Sequence, residues 1–298
     1  MRFLLRAPVA LLAAVLLMAV VPSHAQNEAA QATIKSAWQA AARAAQHGPA
    51  DVTLLDQAKL KLAQGYAFVP KREASAVMKA MGNGDDPTFI GLILPDRQDS
   101  DEDWLVAVDF DPAGYISDDD AKTWNADELL DNLRKGTEAS NADRVRLGVT
   151  PIEVTRWIEP PKYDDATRTL IWSAEARDKG APADADNTVN YNTYVLGREG
   201  YVSLNLITTA SAVEGEKPLV KHLLDDVAFV DGKRYADFNA STDKVAAYGL
   251  AALIGGVAAK KLGLLALLAA FLAKSFKLVI VALGAAGVAV RKFFTRKA

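Results

Sequence analysis

One segment of the chain has the residue types and the spacing of a calcium-binding loop. Residues 109–120 read DFDPAGYISDDD, with acids at loop positions 1, 3 and 12 and a glycine at position 6. In a calcium loop the carboxylates surround the ion, the glycine permits a sharp turn, and a backbone carbonyl supplies a further ligand. The candidate ligands are Asp109, Asp111, Tyr115, Ser117 and Asp120.

The same segment departs from a calcium loop in three ways. Ala113 stands where an oxygen donor is expected, Asp120 replaces the usual glutamate, and a strand precedes the loop in place of a helix. The alternative is a Pro-Ala-Gly turn that closes a strand at Phe110 and is followed by a solvated acidic stretch. Both interpretations stay open, and no cofactor other than calcium is predicted.

The chain has few other residues that could carry chemistry. It has no cysteine, and outside its first 25 residues it has only His47 and His222, neither with a partner at metal-ligand spacing. Nucleophile-elbow, phosphate-loop and zinc-protease motifs are missing. The carboxylate pairs at 164–165 and 225–226 could do acid–base work, but abundant exposed acids favour a solvated role. We therefore predict no catalytic and no cofactor-binding residue.

The N-terminus has the pattern of a secretory signal peptide. Two arginines in residues 1–6 precede an apolar run, 7–21, that is too short for a spanning helix. Pro22 and the small residues Ser23 and Ala25 then form a cleavage site. We predict that residues 1–25 are removed, and that residues 26–50 form a helical lead-in.

The C-terminal region, 245–298, has the composition of a basic membrane anchor. It has no acidic residue, and lysines interrupt its apolar blocks. We predict one span over Leu262 to about Ala282, with Arg291–Lys297 kept in the cytoplasm. A span over Tyr248–Ala273 followed by a basic surface helix, or a soluble helical hairpin, are the alternatives.

Charge separates these regions. Between Gln26 and Lys244 the chain has 24 Lys and Arg residues against 37 Asp and Glu residues, a net charge of −13, whereas the region after Lys244 carries +8. The acidic charge of the domain argues against nucleic acid as its partner, and the basic tail suits an anionic lipid bilayer. The predicted location is the bacterial inner membrane, with the main domain in the periplasm.

The pattern between these ends predicts one α+β domain, residues 51–244, with helices packed on an antiparallel sheet. Asn125, followed three residues later by Glu128, is typical of a helix start, and the helix should continue to about Arg146. The other predicted elements are helices at 28–46, 71–81 and 215–227, one or two strands within 54–69, paired strands at 89–94 and 104–110, and a four-strand meander at 152–158, 168–176, 189–196 and 201–208.

Several phrases of this region resemble one bacterial family, catalogued as domain of unknown function 2167. They are GYAFVP at 65–70, GYISDDDA at 114–121, Arg156-Trp157 through PPKYD at Asp164, LIW at 170–172, VNYNTYVLGREGY at 189–201 and GKRYADF at 232–238. The resemblance covers residues 48–256. It implies a signal sequence, an exported domain and a C-terminal anchor, and it carries over no activity and no site residue.

The function favoured by these observations is a non-catalytic, membrane-anchored periplasmic domain that binds an unknown envelope protein or ligand. Two alternatives remain. One is an envelope hydrolase that uses two carboxylates facing one cleft, and the other is a calcium-stabilised scaffold module.

Overall fold

The computed structural model describes residues 24–96, 104–146, 150–182 and 185–254. Within these ranges no helix combines the length and the apolar composition needed to cross a membrane. Most of the predicted signal peptide and all of the favoured span lie outside the described residues.

Eleven strands and four α-helices form the described chain. The strands are β1 (Gln46–His47), β2 (Ala50–Leu54), β3 (Ala58–Leu62), β4 (Tyr66–Pro70), β5 (Phe89–Pro95), β6 (Leu105–Asp111), β7 (Ile152–Asp164), β8 (Thr169–Asp178), β9 (Thr188–Leu196), β10 (Tyr201–Thr209) and β11 (Val227–Phe229). The helices are α1 (His24–Ala44), α2 (Lys71–Ala80), α3 (Ala126–Arg146) and α4 (Val213–Asp225), and three short 3-10 helices are Asp119–Lys122, Tyr235–Asp237 and Leu250–Ile254.

An eight-stranded antiparallel sheet in the order β1-β4-β5-β6-β10-β9-β8-β7 organises the fold. The predicted α+β class, the meander β7 to β10 and the pairing of β5 with β6 are confirmed. Strand β7 runs beyond its predicted end to Asp164. Its pairing with β8 has three register shifts, and the last of them, between Glu159 and Lys162, spans Pro160 and Pro161. A second, three-stranded sheet in the order β11-β3-β2 was not predicted as a separate unit.

Alternating residues give the large sheet two different faces. One face carries the largest hydrophobic core cluster, which includes Val108, Tyr191 and Leu204 and packs against α4 and the small sheet. The opposite face carries two separate clusters, one beneath α1 and α2 and the other beneath α3 and the C-terminal 3-10 helix. We call this second surface the split face.

Helix α3 begins as its sequence predicts. The Asn125 side-chain oxygen accepts hydrogen bonds from the backbone N–H groups of Asp127 and Glu128, at 2.9 and 3.2 Å. These bonds satisfy donors that a helix N-terminus leaves unpaired. Leu129, Leu130 and Leu133 are buried, so the predicted apolar side of the helix faces the sheet.

The folded domain extends past its predicted end at Lys244. Leu250 and Ile254 have no solvent exposure and belong to the same core cluster as Trp172 on β8. Residues 245–254, predicted as the start of the anchor, therefore lie on the domain. At the other end, α1 stops at Ala44, so that the predicted lead-in, 26–50, also supplies β1.

Candidate functional site

The structure divides the five calcium candidates between the sheet and the loop that follows it. Asp109 and Asp111 lie two residues apart on β6, opposite Ser203 and Tyr201 of β10. The Tyr201 hydroxyl donates to Asp111 at 3.2 Å, and the Ser203 hydroxyl lies 3.5 Å from an Asp109 carboxylate oxygen. Both carboxylates therefore face β10 side chains on the split face.

The other three candidates have separate structural contacts. The Tyr115 ring stacks between neighbouring aromatic rings, and the Ser117 hydroxyl donates to Asp119 at 2.9 Å. The Asp120 carboxylate accepts hydrogen bonds from two backbone N–H groups. Among the described residues no three His, Cys, Asp or Glu side chains are grouped so that they could hold a metal ion. Calcium binding stays a prediction.

The same loop supports a cluster around Asp118, which sequence reasoning did not identify. The Tyr163 hydroxyl donates to the Asp118 carboxylate at 2.7 Å, and a guanidinium nitrogen of Arg168 donates to the same oxygen at 2.5 Å. Tyr163 is the penultimate residue of β7 and Arg168 directly precedes β8, so the β7–β8 hairpin brings both side chains to the loop. Asp118, Tyr163 and Arg168, together with Tyr235, are called the Asp118 cluster.

Arg168 is held on an aromatic stack. Its guanidinium carbon lies 4.9 Å from the centre of the Tyr235 ring, a cation–π geometry. Tyr115 stacks against Tyr235 at 4.5 Å and against Phe238 at 3.8 Å. Arg168 has φ +59°, a left-handed conformation that is uncommon for a residue other than glycine and concentrates at functional sites. Its side chain stays 39% exposed.

The ionisable groups of the Asp118 cluster keep one charge state near neutral pH. Burial opposes ionisation of Asp118, but the Tyr163 hydroxyl and the Arg168 charge outweigh it and lower the pKa of this carboxyl. Burial raises the pKa of Tyr163 and of Tyr235, and hydrogen bonding with Tyr163 raises the pKa of Arg168. A general acid or base works best when its pKa lies near the operating pH. The cluster therefore suits binding better than proton transfer.

The sequence contained a signal for this cluster. Tyr115 and Asp118 lie in the GYISDDDA phrase, Tyr163 in PPKYD, and Tyr235 in GKRYADF. These phrases are up to about 120 residues apart, as the hydrogen bond from the Tyr235 hydroxyl to the Ile116 carbonyl shows across 119 positions. Their meeting point depends on the hairpin and on the C-terminal loop, which local patterns do not define.

Several hydrogen bonds fix the C-terminal 3-10 helix to the domain, and three of them come from the side chains of Asp120 and Trp172. Asp120 accepts from the backbone N–H groups of Leu250 and Ala251, at 3.1 and 3.0 Å, and the Trp172 indole N–H donates to the Leu253 carbonyl at 3.1 Å. We call these bonds the C-terminal clamp. It holds the chain at the point where the described residues end.

Replacing Asp120 with alanine removes two of the three clamp bonds. By analogy with the loss of a helix cap, we expect the free energy of unfolding to fall by about 1–2 kcal/mol. Chemical denaturation of the full chain measures this change. Asp119→Ala is the matched control, because Asp119 is its exposed neighbour and bonds only within its own loop. Equal effects of the two substitutions would contradict the assigned role of Asp120.

The polar residues of the β9–β10 hairpin have structural contacts. The Asn192 side chain donates to the Asn190 carbonyl at 3.2 Å, and both residues lie on the split face. Arg198 donates to both carboxylate oxygens of Asp243 at 2.7 Å. The Arg198 hydrogen bond lowers the pKa of Asp243. Arg198 thereby joins the β9–β10 turn to the C-terminal loop.

The remaining titratable candidates are spread over the surface. His47 pairs with Asp96 at 2.7 Å, and His222 lies on α4, where its carbonyl accepts from the Asp226 N–H. Asp164 accepts from the backbone N–H of Ala166 at 2.8 Å, as expected for a turn. The carboxylate pairs at 164–165 and 225–226 thus lie in a turn and at a helix end.

Comparisons with known proteins find weak structural likenesses. No curated protein sequence matches the chain. A solution structure of cyanobacterial PsbP (CyanoP) from Synechocystis sp. PCC 6803 aligns at 11% identity with a TM-score of 0.35, over 62% of this chain and 91% of that one. The Ran-binding protein Mog1p of Saccharomyces cerevisiae aligns at 15% identity with a TM-score of 0.35, over 64% and 98%. These scores are too low to support a functional argument.

The family comparison agrees with the resemblance seen in the sequence. One family matches residues 46–284, a range that contains the large sheet, the Asp118 cluster and the C-terminal clamp. The chain belongs to this family, which is described as protein of unknown function (DUF2167).

Proposed function

We propose that the protein is a non-catalytic binding domain of the bacterial envelope, anchored in the inner membrane by its C-terminal region, which recognises a partner protein in the periplasm. The observation that carries this proposal is the geometry of the Asp118 cluster. Arg168 is fixed against Asp118 and Tyr235 yet keeps an exposed side chain.

Rigid arginine and tyrosine side chains are well suited to binding. Both residue types are enriched among the positions that dominate the energy of protein interfaces. A side chain that is already ordered loses less conformational entropy when a partner binds. The Tyr163 ring, whose hydroxyl shares an Asp118 oxygen with Arg168, is half-buried, so apolar surface adjoins the cation.

The anchoring part of the proposal rests on the sequence. The acidic domain and the basic, apolar C-terminal region have the charge asymmetry of an exported, tethered protein. The C-terminal clamp supports it, because it would hold the domain close to the point of tethering.

A photo-crosslinking residue placed at Thr167 tests the partner surface in intact cells. Thr167 is exposed and adjacent to Arg168. We expect a discrete crosslinked protein from this position, and we expect the crosslink to be lost in Arg168→Gly. Glycine accepts the left-handed backbone conformation, so this variant removes the guanidinium without straining the turn.

The matched control position is Ala76, which is exposed on α2 in the other half of the split face. The same photo-crosslinking residue at Ala76 should yield no such product. Equal yields at the two positions, or no product at Thr167, would refute the proposed surface. Protease digestion of spheroplasts tests location separately, because a periplasmic domain should be degraded.

A further inference from the structure

Three lysines meet one buried carboxylate where α4 lies beside the β7–β8 edge of the large sheet. Lys217 and Lys221 are one turn apart on α4, and Lys162 lies on β7. Their Nζ atoms are 3.8, 3.5 and 3.5 Å, respectively, from carboxylate oxygens of Glu159, whose side chain is only 9% exposed. We call these four residues the lysine site.

The fold explains why these side chains meet. Helix α4 packs on β9 and β10 through buried apolar side chains, and residues four apart on a helix share one side of it. Lys217 and Lys221 therefore both reach the neighbouring β7. On that strand Lys162 is the Cα partner of Ile171 of β8, and Ile171 is half-buried. Apolar surface thus adjoins the cations.

The lysine site carries more positive charge than its acidic partners neutralise. Lys217 also pairs with Glu214, at 2.6 Å. Among the ion pairs of the described residues, Glu159 is the acidic partner of both Lys162 and Lys221. Three lysines thus face two glutamates, which leaves an excess of one positive charge on a domain whose net charge is −13.

The two outer lysines keep hydrogen-bond donors for a further anion. The side chains of Lys162 and Lys221 are 71% and 45% exposed, so solvent reaches both. Each is 3.5 Å from Glu159, which is longer than the roughly 2.7–2.9 Å of a charge-assisted hydrogen bond, and each ammonium group has three N–H donors. Because both Nζ atoms lie at this distance from the same oxygen, Oε1 of Glu159, one multi-oxygen anion can reach both.

We propose that the lysine site binds a phosphate group, whose oxygens accept hydrogen bonds from Lys162 and Lys221 while Glu159 holds the two ammonium groups in place. A phosphomonoester carries about −1.5 to −2 charges at neutral pH and has three acceptor oxygens, so it uses both cations at once. The site lies on the face of the sheet that carries α4, opposite the Asp118 cluster. The inference therefore does not depend on the proposed partner surface.

Titration of the ¹⁵N-labelled full chain with inorganic phosphate, in a neutral detergent and at constant ionic strength, tests the site. We expect saturable shifts of the Lys162 and Lys221 amide resonances. Lys221→Met and Lys162→Met should each weaken binding at least about tenfold, the fold-change that corresponds to one hydrogen bond with a charged donor. Lys135→Met is the matched control, because this lysine is exposed on α3 and the substitution changes the net charge equally. Equal weakening by the control would overturn the proposal.

Glu159→Gln gives a result that a purely stabilising role of the lysines does not predict. The substitution keeps an acceptor for the Tyr191 hydroxyl and removes the negative charge that lies beside both ammonium groups. Inorganic phosphate should therefore bind at least about fivefold more tightly, and it should stabilise this variant more than the native chain. Unchanged or weaker binding in Glu159→Gln, or a response that does not saturate, would contradict the site.

A second arm distinguishes a free phosphate from a lipid headgroup. Dihexanoyl phosphatidic acid has the same phosphomonoester on two short acyl chains, which could lie on the apolar surface around Ile171. Tighter binding of this lipid than of inorganic phosphate would assign the site to a headgroup, and equal affinities would assign it to a free phosphate. Dihexanoyl phosphatidylcholine, whose phosphate is a diester next to a choline cation, should not compete. Competition by this lipid as strong as that by phosphatidic acid would overturn the proposal.

Discussion

Replacing Gly200 with alanine is expected to reduce the free energy of unfolding by about 3–5 kcal/mol, the sum of a strained backbone and an overpacked contact. Gly200 has φ +155°, and it lies between the β9–β10 turn and the start of β10. A Cβ atom at this position would be 1.9 Å from the Asp111 carbonyl oxygen and 3.1 Å from the Pro112 Cα atom. Both neighbours are backbone atoms, so no side-chain rotation can relieve the clash.

Gly215→Ala is the matched control for this substitution. Gly215 lies in α4, and a Cβ atom there would meet nothing within 4 Å. Because alanine favours helices more than glycine does, we expect Gly215→Ala to raise the free energy of unfolding by about 0.5–1 kcal/mol. Denaturant titration of both variants measures the two changes in the free energy of unfolding, which we expect to have opposite signs. A neutral Gly200→Ala would show that β6 and β10 are not as close as the structure has them.

Replacing Glu159 with alanine is expected to have the second large effect, a decrease of about 2–4 kcal/mol in the free energy of unfolding at neutral pH. The Glu159 carboxylate accepts a hydrogen bond from the Tyr191 hydroxyl at 2.8 Å, and Tyr191 has no solvent exposure. The Glu159 carboxylate also lies 3.5 Å from Lys162 and from Lys221, and 3.8 Å from Lys217. The substitution leaves a buried hydroxyl and three lysines without this carboxylate, and the loss of a buried partner is costly.

A double substitution isolates the part of this loss that comes from the hydroxyl. Glu159→Ala with Tyr191→Phe removes both members of the hydrogen bond, so the double variant should be more stable than Glu159→Ala alone by about 1–2 kcal/mol. If the double variant lost as much free energy of unfolding as the two single variants together, the assigned hydrogen bond would be contradicted.

The same carboxylate predicts how stability depends on pH. Burial opposes its ionisation, but the Tyr191 hydroxyl and the neighbouring lysines outweigh it and lower the pKa of Glu159 below its ordinary value of 4.5. A lowered pKa means that the ionised group stabilises the fold above about pH 4.5 and loses this contribution as the pH falls through its folded-state pKa. The stability difference between the native chain and Glu159→Gln should therefore shrink below pH 4.5.

Local patterns were sufficient for most of the elements. The Asn125 cap, the alternation in β7 to β10 and the apolar spacing of α4 each follow from interactions within a few residues, and the structure places the elements there. The length of β7 was underestimated because Pro160 and Pro161 end a regular strand, whereas register shifts allow this one to continue.

The site was less predictable than the fold. The calcium interpretation treated residues 109–120 as one loop, but β6 fixes Asp109 and Asp111 while Asp120 reaches the C-terminal 3-10 helix 130 positions later. The contacts of Asp118 likewise depend on the β7–β8 hairpin, and those of Glu159 with the α4 lysines depend on where α4 packs. Such long-range contacts are set by tertiary packing, and no spacing rule within the sequence encodes them.

The C-terminal clamp has a mechanical consequence. Leu253 and Ile254, the last described residues, are buried in the core, and the Trp172 indole N–H donates a hydrogen bond to the Leu253 carbonyl. Within the described residues, the chain is bonded directly to the sheet up to this point. A pulling force on the polypeptide beyond Ile254 would therefore act first on the hydrogen bonds of Trp172 and Asp120. If the C-terminal region anchors the protein as proposed, the domain would follow the motion of that anchor rigidly.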